Sequence, residues 1–235
     1  MRLNKDSKKM NVIKNSFAGA IPPVTKNLII INVIAWLAQV VMIRNGMDLT
    51  QYLGLHYIGS ENFRIYQFVT YMFLHDPNSF GHVFFNMFAV FMFGRTLEQI
   101  WGQKRFLLYY FVTGIGAALV QLIVIYIRLQ TALPQDAYML LNTVTVGASG
   151  AVFGVLLAFG MLFPNAELFI IPIPFPIKAK WFVIGYGVFE LFFGIRNYAG
   201  DNVAHFAHLG GMLFGIFMIL YWKKKDKHRG NNYYY

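Results

Sequence analysis

The chain has no cysteine, which excludes disulfides, thiolate metal sites and cysteine nucleophiles. Charge is scarce as well: only 13% of the 235 residues are Asp, Glu, Lys or Arg. A soluble domain of this size dresses its surface with roughly a quarter charged residues, so a water-soluble globule is excluded. Acids are outnumbered by bases, 10 against 20. Stretch 1–26 lacks the apolar core and small-residue cleavage site of a secretory leader, and reads as a polar cytoplasmic extension. No internal repeat is evident, which weighs against a transporter, since many transporters are built from repeats. What the chain does have is apolar and aromatic surface, 57% and 18% of its residues, with a mean hydropathy of +0.49. Such a chain takes the bilayer as its solvent.

Six apolar segments stand out, at about 28–43, 80–97, 106–127, 147–163, 179–194 and 204–222. The expected fold is an all-α membrane protein, a six-helix transmembrane bundle over 27–222 followed by a basic cytoplasmic tail, 223–235. Several segments fall short of the ~20 residues of a standard span, which suggests polar backbone and water held at depth inside the protein. Six spans place both termini on one side, with the second-to-third and fourth-to-fifth connections. All lysines and arginines except Arg44, Arg64, Arg128 and Arg196 fall on that side, so it is predicted to be cytoplasmic. Orientation and anionic lipid account for the basic patches, and nucleic acid is not an expected partner. The long connection 44–79 is too apolar for a solvated loop and is expected to lie, structured, in the outer interface. The proline-rich connection 164–176 is not expected to be helical.

Polar residues inside the segments carry the chemistry. Gly147-Ala148-Ser149-Gly150 opens the fourth segment, placing a hydroxyl at a helix N-terminus, where free N–H groups and the positive end of the dipole converge. That arrangement suits a nucleophile beside an anion-stabilising pocket; it equally suits a cap or close helix packing. His82 and Asn86 lie one turn apart on one face of the second segment. Both can donate to a developing oxyanion, or simply form interhelical hydrogen bonds. The sixth segment opens with His205 and His208, followed by Gly211 and Gly215. Histidine serves as a general base near neutral pH, and small residues on the fourth and sixth segments permit the close approach that would bring imidazole to Ser149. A shared ion at His205 and His208 is disfavoured because no carboxylate cluster accompanies them in sequence. Nucleophile, base and oxyanion donors thus come from three segments and fit one acyl-transfer site.

In these motifs, namely His82-x-x-x-Asn86, Gly147-x-Ser149-Gly150 and Ala207-His208-x-x-Gly211-x-x-x-Gly215, the sequence resembles the rhomboid family of intramembrane serine proteases in its bacterial six-span form. The resemblance covers about 63–221, and Glu98 fits it too. It implies Ser149 as nucleophile and His208 as base of a Ser-His dyad without aspartate. Asn86, His82 and the Ser149 N–H would form the oxyanion hole, and Phe153 would pack against the base. The family histidine precedes its glycines by three and seven residues, which favours His208 over His205. A Trp-Arg pair common in the family's first external loop is replaced by Tyr66-Gln67, leaving that loop's anchoring open.

The resemblance further implies an integral protein of the bacterial inner membrane that cleaves transmembrane protein substrates, unwound locally after sideways access past the fifth segment. No metal or cofactor is implied. With no aspartate, His208 is expected to be oriented by packing. Glu190, in the fifth segment, reads as a bond to a neighbouring helix, with a water-lined gate as the alternative. The rivals are a catalytically inactive relative that binds client helices and, behind it, a transporter.

Overall fold

The computed structural model describes residues 20–170, 174–196 and 204–228. Each of the six apolar segments coincides with a helix: α1 (Pro23–Arg44), α4 (Phe80–Trp101), α5 (Gln103–Leu129), α7 (Ser149–Leu162), α8 (Ala179–Arg196) and α9 (His205–His228). Between them lie the short helices α2 (Leu49–Leu53) and α3 (Gln67–Thr70) in the first connection, and α6 (Pro134–Asn142) before α7. Of these, α1, α4, α5 and α9 are long and apolar enough to cross a membrane. The fold is all-α and belongs to an integral membrane protein, with two small additions. Strand β1 (Leu55–His56) pairs antiparallel with β2 (Val144–Thr145), and β3 (Glu167–Leu168) pairs with β4 (Ile177–Lys178).

Two expected boundaries move. Helix α1 begins at Pro23, inside the stretch assigned to the N-terminal extension, because proline is pre-set for a helix's first turn. Helix α9 runs on to His228, into the stretch assigned to the tail. Its Asp226 is buried there and accepts two hydrogen bonds at 2.8 Å from the Arg105 guanidinium of α5. The rest of the extension, 1–19, and of the tail, 229–235, lies outside the described residues.

Helix α1 is built inside out. Ile30, Ile31, Ile34, Leu37 and Val41 are exposed, while Thr25, Asn32 and Gln39 are buried. Lipid is as apolar as isoleucine, so a membrane helix gains little by hiding isoleucine and more by pairing its polar groups inside. At one end the Glu98 carboxylate accepts from the Val24 N–H at 2.9 Å, the Thr25 N–H at 2.7 Å and the Thr25 hydroxyl at 2.8 Å. The anion satisfies first-turn donors and meets the positive end of the helix dipole. At the other end Gln39 accepts from the His75 N–H at 2.9 Å, and Trp36 Nε1 donates to the Asp76 carbonyl at 3.1 Å.

The centre of the bundle is a close approach of α5, α7 and α9. A methyl at Gly211 would overlap the carbonyl of Gly150, one at Gly150 would meet Ala117 Cβ, and one at Gly215 would meet the Tyr109 hydroxyl. Tyr109 in turn donates to the Gly154 carbonyl at 2.8 Å. Helix α4 carries a π-helical turn at Val90–Gly94, a device that re-aims side chains and is often found beside functional sites.

Gly211→Ala is expected to lower the thermal unfolding midpoint of the detergent-solubilised protein, since the overlap is with backbone and overpacking of this kind costs about 1–3 kcal/mol. Gly185→Ala, on α8 where an added Cβ meets nothing within 4 Å, should leave the midpoint unchanged or raise it. Equal behaviour of the two variants would contradict the close-approach account.

Candidate active site

Ser149 is the first residue of α7, where the opening N–H groups of a helix have no intrahelical partner. The turn before it is held on two sides. Strand β2 ties the incoming chain to the first connection, and the Gly147 N–H donates to the Tyr71 carbonyl at 3.0 Å. Gly147 has φ +132°, a backbone region closed to most side chains. A Cβ there would also sit 3.1 Å from His82 Nε2 and 3.3 Å from Ser149 Oγ. Residue 147 is therefore glycine for both conformational and steric reasons.

The Ser149 hydroxyl lies 2.8 Å from His208 Nε2. The imidazole of His208 stacks on the Phe153 ring, with centroids 4.2 Å apart and planes 7° from parallel, so the expected packing of Phe153 against this histidine is present. His205 does not reach the serine; its Nδ1 is turned to the Glu190 carboxylate instead, at 2.6 Å. The same carboxylate oxygen lies 2.8 Å from His208 Nδ1. The expectation that packing alone orients His208 is thus corrected: a carboxylate from α8 holds its far nitrogen. Glu190 does bond a neighbouring helix, as expected, but its partners are the two histidines of the site.

These contacts also amend the metal argument. A carboxylate that is remote in sequence does accompany His205 and His208, and the candidate ligand atoms of the three residues lie within 4.8 Å of one another. In this arrangement both Nδ1 atoms are directed at Oε2 as hydrogen-bond partners.

His82 and Asn86 line the same cavity as Ser149 and His208. His82 Nδ1 accepts from the Asp76 N–H at 3.2 Å. A ring nitrogen that accepts bears no proton, so the proton of the neutral imidazole sits on Nε2, the atom beside Gly147. Asn86 spends one amide hydrogen on the His82 carbonyl at 2.8 Å, and its second N–H is not used by that bond. The cavity has a volume of about 1510 Å³ and runs between α4 and α8, with walls that include Phe84, Phe85, Phe88, Phe182 and Tyr186. Small-molecule pockets run to roughly 1,000 Å³; this space is of polypeptide size.

The first connection is structured, and its anchor is Gln67. Its buried side chain accepts from the N–H groups of Arg64 and His56 at 3.1 and 3.3 Å. It donates to the carbonyls of Asn62 and Tyr52 at 3.0 and 3.2 Å. Gln67 thereby supplies the loop anchoring that the Tyr66-Gln67 replacement left open.

The profile of the rhomboid domain matches residues 62–225, most of the chain, and the protein belongs to the rhomboid family. It is similar to "Rhomboid protein 1, mitochondrial" of Saccharomyces cerevisiae, 32% identical over 58% of this chain and 36% of the relative. It is also similar to "Rhomboid-like protein 11, chloroplastic" of Arabidopsis thaliana, 31% identical over 66% of this chain and 51% of that protein. A third relative is "Rhomboid protease AarA" of Providencia stuartii, 27% identical over 61% of this chain and 51% of that protein. The chain spans about half the length of these relatives or less.

His75, in the first connection, is fully buried with its ring edge-on to His82 at 5.0 Å. Burial, reinforced by the facing His82, pushes its pKa from 6.5 down to about 3. Folded His75 stays neutral while the unfolded chain takes up a proton below about pH 6.5, so stability from this group is present above that pH and is lost as pH falls towards 3. Neither ring nitrogen has a well-formed hydrogen bond among the described residues, so His75→Phe keeps the ring and removes the titration. Unfolding midpoints of the variant should fall less than those of wild type between pH 6.5 and 4. Parallel curves would show that His75 does not contribute.

Proposed function

We propose that this protein is an intramembrane serine endopeptidase that cleaves transmembrane segments of membrane-protein substrates. The observation that carries the reading is the 2.8 Å approach of Ser149 Oγ to His208 Nε2 at a helix N-terminus. All six apolar helices cross the bilayer, both termini face the cytoplasm, and the membrane is the bacterial inner membrane. No cofactor takes part.

Family membership, a relative named a protease, and a polypeptide-sized cavity between α4 and α8 support this reading. A substrate segment reaches the cavity sideways from the lipid and unwinds there, because a peptide carbonyl engaged in its own helix is not open to attack. Ser149 Oγ adds to the scissile carbonyl carbon while its proton passes to His208 Nε2. Negative charge on the carbonyl oxygen is met by the Ser149 N–H, His82 Nε2–H and Asn86 Nδ2–H. The intermediate collapses, the C–N bond breaks, and His208 returns the proton to the departing amine. Water, deprotonated by the same imidazole, then adds to the acyl-enzyme and releases the second fragment. Gly147, Gly150, Gly211 and Gly215 contribute by letting the backbones close on this geometry.

The test uses purified protein in detergent and a single-span substrate with small residues near its outer end. Ser149→Ala and His208→Ala should each abolish cleavage, while Asn86→Ala and His82→Ala should lower kcat by about 10²–10³-fold, the usual effect of removing one oxyanion donor. A fluorophosphonate probe should label wild type and not Ser149→Ala. Cleavage that survives Ser149→Ala, or wild type that neither cleaves nor labels, would overturn the proposal; the latter would leave a client-binding protein.

A further inference from the structure

Glu190 is a carboxylate in the middle of an apolar helix, and an ionisable group at such a position is costly unless it has work to do. It is buried, and α8 itself presents mostly apolar residues. Its two bonded neighbours lie on α9, where His205 Nδ1 and His208 Nδ1 are 2.6 and 2.8 Å from the same oxygen, Oε2. Helix α8 has other ties to the bundle. At its far end Arg128 of α5 donates to the Gly194 carbonyl at 2.9 Å, and along its length Val183 packs with Phe153 and Met212.

We infer that Glu190 is the positioning residue of His208, so that the site works as a Ser149–His208–Glu190 relay rather than as a dyad; the inference rests on the protease reading above. An ionised carboxylate only accepts hydrogen bonds. Each histidine that approaches it through Nδ1 must carry its proton there, which leaves Nε2 of His208 as a bare acceptor. That is the tautomer required to take the proton of Ser149 Oγ, and the ring cannot rotate without losing both the carboxylate and the Phe153 stack. As the proton arrives on Nε2, the imidazole becomes a cation facing an anion, and the developing charge is met where it forms. His205 fills a separate role. It makes the shorter bond to Oε2, is itself stacked near Phe193 at 5.9 Å, and fixes the rotamer of Glu190. The carboxylate therefore stays aimed at His208 whether or not substrate is present.

The proposal separates charge from shape. Glu190→Gln keeps the volume and one acceptor oxygen but loses the anion. It should lower kcat by about 10²-fold or more, the direction seen when the carboxylate of a serine-protease triad is neutralised at a cost of about 10⁴-fold, with KM within about 3-fold of wild type. Glu190→Asp, which keeps the charge, should recover at least ~10-fold of that loss, and fluorophosphonate labelling of Ser149 should slow in step with kcat. Proton NMR of wild type should show two far-downfield N–H resonances, one lost in His208→Ala and one in His205→Ala. That readout does not depend on the Glu190 variants folding. Glu190→Gln with kcat within about 3-fold of wild type would overturn the inference, as would a pure rise in KM or a single downfield resonance assigned to His205. Cleavage surviving Ser149→Ala is a different failure, that of the protease reading itself.

Discussion

The structure depends on a contact between backbones. Gly211 of α9 lies against the carbonyl of Gly150 on α7 with no room for a methyl group. Without a hydrophobic drive between helices in lipid, such approach must come from small residues and from packing. Here it fixes the distance between two helix starts. His208 lies one turn before Gly211 on its helix, and Ser149 immediately precedes Gly150, so the glycine pair that brings the helices together sets the serine–imidazole separation of 2.8 Å. The site follows from a packing register.

The second organising rule is that polar groups taken into an apolar medium must find partners there. The chain meets it with side chains that bond several groups at once. Glu98 serves two backbone amides and a hydroxyl at the start of α1. Gln67 serves four backbone groups of the first connection. Glu190 serves two imidazoles. Glu98 and Glu190 each collect their donors from another helix, and Gln67 its partners from residues 52–64 of its own loop. The bonds to the two carboxylates are of the charged kind, worth about 1.5–3 kcal/mol apiece, and those of neutral Gln67 about 0.5–1.5.

How much of this was legible beforehand depended on whether partners lay within one motif. Ser149, His208, Asn86, His82 and the glycines each lie within a short motif, so the sequence could name them as candidates, and the structure brings the serine and the imidazole together from two helices. Scarcity of charge likewise marked the membrane, and all six helices lie where apolar runs predicted them. Glu190 was visible as an oddity, but its partners were not. It reaches α9 across a crossing that no spacing encodes, and a carboxylate in one helix gives no sign of which neighbour will donate to it. Gln67 was read only as a departure from a familiar pair, because its value lies in four backbone groups that become neighbours after the loop folds. The two-residue strands escaped notice for the same reason: β1 and β2 are far apart in sequence and too short to show alternation.

Helix α1 takes no direct part in the chemistry, yet its two ends are fastened to very different places. One end is held by Glu98, at the end of α4 remote from the site; the other holds, through Gln39 and Trp36, the backbone of His75 and Asp76. The Asp76 amide is the group that fixes the tautomer of His82. The stretch of α1 between these ties, from Thr25 to Gln39, is about 21 Å long at 1.5 Å per residue, and it links the far end of α4 to the loop that holds His82. The whole helix, 22 residues or about 33 Å, is close to the ~30 Å of a hydrocarbon core, which makes α1 a gauge: were it to shift or tilt to match a thinner or thicker bilayer, the loop bonded to His82 would feel the load.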